Sequence, residues 1–126
     1  MSIRVILDTG VFYHPEALRQ AARVEANLIV PSVVFMERAR QLRRDGRDVR
    51  AFATRLVEDG YTVEPFRAAH ALRYAIPLGD DRLWRRHFRD AMIAGHVGEG
   101  DELWTTNPRD FEAVGLRREQ LKVVPA

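Results

Sequence analysis

The sequence predicts an α/β fold with a mainly parallel central sheet, and three observations point to it. Short apolar runs such as "RVIL" and "LIV" alternate with longer stretches of helical period. Pro, Gly and Asp punctuate the joins between them. Strand-helix alternation of this kind builds parallel sheets covered by helices on both faces.

Taken in order, Ile3 to Leu7 reads as a buried strand. His14-Pro15-Glu16 opens a helix, because Pro at an early position loses no needed N–H. Leu18, Ala21, Ala22 and Glu25 continue it at helical spacing, and Asn27 suits the exit. Residues 28–30 form a second short strand. Pro31 and Ser32 open a helix to about Arg44, stopped by Gly46. Val49, Phe52, Ala53 and Leu56 make an i, i+3, i+4, i+7 stripe that ends at Asp59-Gly60. "YTVEPF" is extended, and Arg67 to Ile76 is helical up to Pro77. Asp80 and Asp81 read as caps of a long helix over 81–98. "ELWTT" (102–106) is a strand, "NPRDF" a turn or short helix, and "LKVVP" a last strand. Four strands is the count this pattern supports directly.

The chain has 126 residues, enough for one domain with a core of its own, and 1–126 is read as a single domain. It contains no Cys, which excludes disulfides and thiolate metal sites. No apolar run approaches the roughly 20 residues of a membrane span. The start carries Arg4 in a short apolar run and does not read as a signal peptide, so a cytoplasmic location is the expectation. Net charge is +2, and only Lys122 among the 20 basic residues is not Arg. Arg suits bidentate phosphate contacts, although a genomic bias towards Arg codons accounts for the same count. With four acids sequestered in a site, 20 positive charges would face 14 negative ones, a mild bias towards nucleic acid.

Ligands of open parallel sheets bind beyond the carboxyl ends of the strands. Asp8 follows the first strand there, and Asn107 and Asp110 follow "ELWTT". Glu37 lies two turns into the helix after the second strand, beside the apolar face set by Val33 and Val34. Asp90 opens the small-residue stretch "DAMIAGHV". Each has a plainer reading: Asp8 as a turn residue, Glu37 paired with Arg38 or Arg40, Asp90 as a helix cap, Asp110 capping the turn before Phe111. Brought together, two such carboxylates 4 Å apart repel by about 4 kcal/mol at an effective dielectric of 20, so the group needs a cation or protons. All-oxygen ligation favours Mg²⁺ or Mn²⁺. The four His show no metal-ligand spacing and read as surface or satisfied core, and Trp84 and Trp104 read as core or interface. There is no Gly-rich phosphate loop and no G-x-S-x-G motif.

Four segments, "ILDTGVF", "PSVVFMERAR", "HFRDAMIAGHV" and "LWTTNPRDF", resemble PIN-domain ribonucleases in order and in spacing, particularly the small toxins of VapBC-type toxin–antitoxin systems. The resemblance spans nearly the whole chain. It implies a three-layer PIN-like sandwich with a four- or five-stranded sheet. It also implies a Mg²⁺- or Mn²⁺-dependent endoribonuclease that hydrolyses RNA phosphodiester bonds. Asp8, Glu37 and Asp90 match the family's metal-binding acids, and Asp110 best fits a further acid after the late strand. Thr105, Thr106 and Asn107 match supporting positions. Arg38, Arg85, Arg86 and Arg89 are candidates for RNA phosphate contact, or else a solvated helix face. An antitoxin partner and a homodimer are further implications. Gly10 departs from the polar residue that relatives often carry there. Two competing classes remain: a PIN fold used only for binding or assembly, and a receiver-type signalling domain. The receiver wants paired acids after strand one and a late Lys, whereas strand one here ends in a single Asp. An Asp-nucleophile phosphatase wants D-x-D, which "DTG" lacks.

Overall fold

A computed structural model describes residues 3–74 and 80–124. The sheet has five strands, all parallel, in the order β3-β2-β1-β4-β5. They are β1 (Ile3–Leu7), β2 (Ala26–Pro31), β3 (Tyr61–Glu64), β4 (Glu102–Thr105) and β5 (Leu121–Val123). The helices are α1 (Pro15–Arg23), α2 (Ser32–Arg44), α3 (Val49–Glu58), α4 (Ala68–Tyr74), α5 (Asp81–Ala94) and α6 (Pro108–Ala113). Two 3-10 turns, Thr9–Tyr13 and Arg118–Gln120, complete the described elements.

Sequential strands step outwards from β1 to β2 to β3, and the chain then crosses back to β4 and β5. Right-handed crossovers put helices on opposite faces for the two directions, which gives three layers. The central strands show why both faces must be covered. Val5, Ile6 and Leu7 are fully buried in succession, as are Leu103 and Trp104, so neither strand has a solvent side. Leu28, Ile29 and Val30 continue the same core.

Several element bounds differ from the sequence reading. β2 begins at Ala26, so Asn27 is a strand residue paired with Arg4, and Pro31 both closes the strand and stands at the N-cap of α2. Pro is tolerated at that end because α2 takes over at once. Asp80 caps α5 by accepting from Arg82 N and Leu83 N at 2.8 and 3.2 Å. α5 ends at Ala94, four residues short of the expected 98, and runs without a break through Asp90, so Asp90 is not a cap. Gly95 follows, where any Cβ would collide with the backbone carbonyl of His70. Gly therefore lets α4 press against the end of α5. The end of the helix expected over 67–76 lies partly outside the described residues.

Of the histidines, His96 is a core residue, one of the two readings the sequence offered. His96 is wholly buried and its Nδ1 lies 2.6 Å from Glu64 Oε1. His70 stacks on it, with ring centroids 4.3 Å apart. Arg4 reaches Glu64 and Asp101 at 2.5 and 2.7 Å. This network ties the start of β1 to the end of β3 and to the loop before β4. Burial holds the His96 imidazole below its ordinary pKa, against the pull of Glu64.

Candidate metal-binding active site

The site forms at the carboxyl ends of β1 and β4, where two adjacent parallel strands deliver their last residues to one edge. Asp8 follows Leu7 directly, and its N–H donates to Trp104 O at 3.0 Å, which extends the β1–β4 ladder by one step. The chain then turns into the 3-10 segment, and Asp8 caps it: Thr9 N donates to Asp8 Oδ1 at 2.7 Å. Asp8 is therefore a turn residue as well as an acid at the sheet edge. The Thr105 hydroxyl donates to its other oxygen at 2.8 Å, and Thr105 in turn accepts from Asn107 N at 3.0 Å. Both oxygens are thus fixed, and Asp8 is only 6% exposed.

Glu37 projects from α2 towards the same edge. Its Oε1 accepts from the Thr9 hydroxyl at 3.2 Å and pairs with Arg89 Nε at 3.1 Å. The sequence suggested Arg38 or Arg40 as its partner; the actual one comes from α5. Arg38 instead places its guanidinium over the Tyr13 ring, 5.0 Å from the centroid. Arg85 and Arg86 are exposed on α5.

Asp90 is buried on α5 and shares a face with His87 one turn earlier, the pair meeting at 3.1 Å between Oδ2 and Nδ1. Asp110 lies in the first turn of α6, where its Oδ2 accepts from Asn107 Nδ2 at 2.8 Å. Potential ligand atoms of His87, Asp90 and Asp110 lie within 4.8 Å of one another. His87 was missed in the sequence, where the only signal was its i−3 placement from Asp90. Thr9 was missed as well. Thr106 is exposed, and its hydroxyl occupies the space above Gly10, where a side chain would displace it.

The charges are mutually unfavourable. Burial pushes the Asp8 carboxyl above its ordinary pKa, with Asp110 adding to the shift and the Thr105, Thr9 and Arg89 contacts opposing it. Glu37 rises for the same first reason, with Asp8 and Asp90 adding and Arg89 and Thr9 opposing. Asp90 rises through burial and through Asp110, against His87 and Arg89. Arg89 is the one Arg that acts on all three. A divalent cation would relieve this excess of negative charge, and the donors are mostly hard oxygens, so the residues present fit a metal of the Mg²⁺ or Mn²⁺ kind.

A parallel sheet between two helical layers, with acids converging at its carboxyl edge, defines a three-layer α/β domain able to hold a metal ion there. The PIN domain family model matches residues 5–116, and the chain belongs to the PIN domain family. PIN domains are generally metal-dependent nucleases, and the acidic cluster here can hold such a metal. No curated protein matches the chain. Among the described residues no helix is long and apolar enough to cross a membrane.

Proposed function

We propose that the protein is a Mg²⁺- or Mn²⁺-dependent endoribonuclease and the toxin of a VapBC-type pair. The observation that carries the nuclease reading is the gathering of acids at the carboxyl edge of the sheet in a PIN domain, with Asp90 and Asp110 in one potential metal-ligand group and Asp8 and Glu37 linked through Thr9. Asp8, Glu37, Asp90 and Asp110 would hold the metal, directly or through water. When bound, the metal supplies a water of lowered pKa and neutralises charge on the scissile phosphate. Thr105 and the Thr9 N–H aim the Asp8 carboxylate. Asn107 steadies Asp110. Arg89 holds Glu37 and, being 44% exposed, presents the rest of its fork to a phosphate oxygen. Arg85 and Arg86 extend the cationic surface along α5 for the RNA backbone, with Arg38 at the side.

Purified protein incubated with structured RNA is expected to cleave it with Mg²⁺ or Mn²⁺, and to stop when EDTA is added. Cleavage that EDTA leaves untouched, or no cleavage with either metal, ends the nuclease reading. Expression in a bacterial host is expected to arrest growth, with relief by the product of the neighbouring open reading frame. A groove of about 530 Å³, lined by Phe12, Leu18, Phe52 and Leu56 and rimmed by Arg19, Arg38 and Arg55, supports an acidic, partly apolar antitoxin segment as its occupant. Growth arrest that no neighbouring product relieves would sink the toxin role.

The homodimer proposal rests on α4 and α5. Leu72, Leu83, Trp84 and Phe88 are 73, 42, 43 and 48% exposed, and the Trp84 and Phe88 rings lie 6.3 Å apart. Clustered exposed aromatics of this sort mark association surfaces. Sedimentation at micromolar concentration is expected to give a dimer that Trp84→Ser weakens. A monomeric wild-type chain rules the proposal out.

A further inference from the structure

We infer that His87 supplies an imidazole nitrogen to the metal centre and biases it towards Mn²⁺ over Mg²⁺. This inference rests on the metal-centre reading above and adds a donor to it.

His87 lies within α5, away from both of its caps. It is 6% exposed, on the face of α5 that carries Asp90. Its Nδ1 stands 3.1 Å from Asp90 Oδ2. Neighbouring ligands of one octahedral ion with bonds near 2.1 Å sit about 3 Å apart, so this spacing suits shared ligation. Asp110, from a different helix, brings a third donor into the same 4.8 Å group.

The other two acids are more committed. Both oxygens of Asp8 already accept hydrogen bonds, from Thr9 and Thr105, and Glu37 Oε1 is held by Thr9 and Arg89. Asp90 and Asp110 are held more lightly than Asp8, each through Oδ2 alone, by His87 and by Asn107. In the metal-free chain Nδ1 and the Asp90 carboxylate share one hydrogen bond. Ligation uses the Nδ1 lone pair, with the proton carried on Nε2. An imidazole in an otherwise oxygen set suits a transition ion, whereas Mg²⁺ prefers oxygen alone.

The full chain, loaded with Mn²⁺, tests this by pulsed electron paramagnetic resonance. A ¹⁴N coupling to Mn²⁺ is expected in the wild type, and it should change to the ¹⁵N pattern when only histidine is ¹⁵N-labelled. That measurement needs no variant to fold. The coupling is expected to vanish in His87→Gln and to persist in His70→Gln, which separates this ring from the Glu64–His70–His96 group. The ratio of Mn²⁺ to Mg²⁺ affinity, from competition titration, should fall on the order of tenfold in His87→Gln. Mn²⁺ bound with no nitrogen coupling, or a coupling that survives His87→Gln, overturns the inference and leaves His87 as a hydrogen-bond partner of Asp90. If Mn²⁺ does not bind the wild type at all, the metal-centre reading itself fails.

Discussion

Asp8→Asn is expected to lower RNA cleavage by roughly 100-fold or more, because the charge removed is one that must meet the metal or the developing charge of the reaction. The exchange is close to isosteric. The Asn oxygen can still accept from Thr9 N, and the Thr105 hydroxyl can turn to accept from the amide. The fold should therefore survive, and its stability should move in the opposite direction from activity. Asp8 has a raised pKa in the folded chain, so the native state holds its proton more tightly than the unfolded one. Its favourable contribution is complete below the unfolded value of about 3.8 and is lost as pH rises through the higher folded value. At neutral pH without metal, the carboxylate is a net burden. Chemical denaturation of the metal-free protein at pH 7 should show Asp8→Asn at least as stable as wild type, while the RNA assay shows it inactive. Wild-type rates in the variant would remove Asp8 from the site. A folded-state loss of several kcal/mol would show that its hydrogen bonds, and not its charge, are what the position requires.

Trp104→Ala is expected to be the most damaging single truncation in the core. The ring is 1% exposed on β4, between Leu7 of β1 and Lys122 of β5. Its Nε1 donates to Glu102 Oε1 at 3.0 Å, and the Lys122 ammonium lies 4.6 Å from the ring centroid. Removing it leaves a cavity that two flanking strands cannot close, so a loss of about 3–5 kcal/mol follows. For a chain of this size that lowers the melting temperature by roughly 10–20 °C. Urea titration and a thermal scan would measure both. A loss below about 1 kcal/mol would mean the ring is not packed as described. The same strand carries Thr105, so the variant should also weaken metal binding by loosening the group that orients Asp8.

Much of the fold was legible because its signals are local. The apolar run of β1 is continuous since both faces of the sheet are covered, and that leaves the unbroken stretch Val5-Ile6-Leu7 in the sequence. Asp80 announces α5 because a cap bonds residues two and three positions away. β2 was harder: Ala26 and Asn27 carry no strand signal of their own and are recruited by pairing with Ile3 and Arg4. The close approach of α4 to Gly95 at the end of α5 is a contact between helices, which no helix periodicity records.

The candidate site divides in the same way. Strand alternation and the position of Asp8 at the end of β1 follow from residue types a few places apart, so the sequence by itself determined a parallel α/β sheet with an acid at its carboxyl edge. The partner of each acid did not follow. Glu37 has two arginines close by in sequence but pairs with Arg89, because α2 and α5 lean together over the strand ends and Arg38 is drawn to Tyr13. His87 looked like an ordinary helical residue until α6 brought Asp110 to it. Only the tertiary structure decided these, since a side chain's neighbours across elements depend on sheet order and helix docking, and those are properties of the whole packed chain.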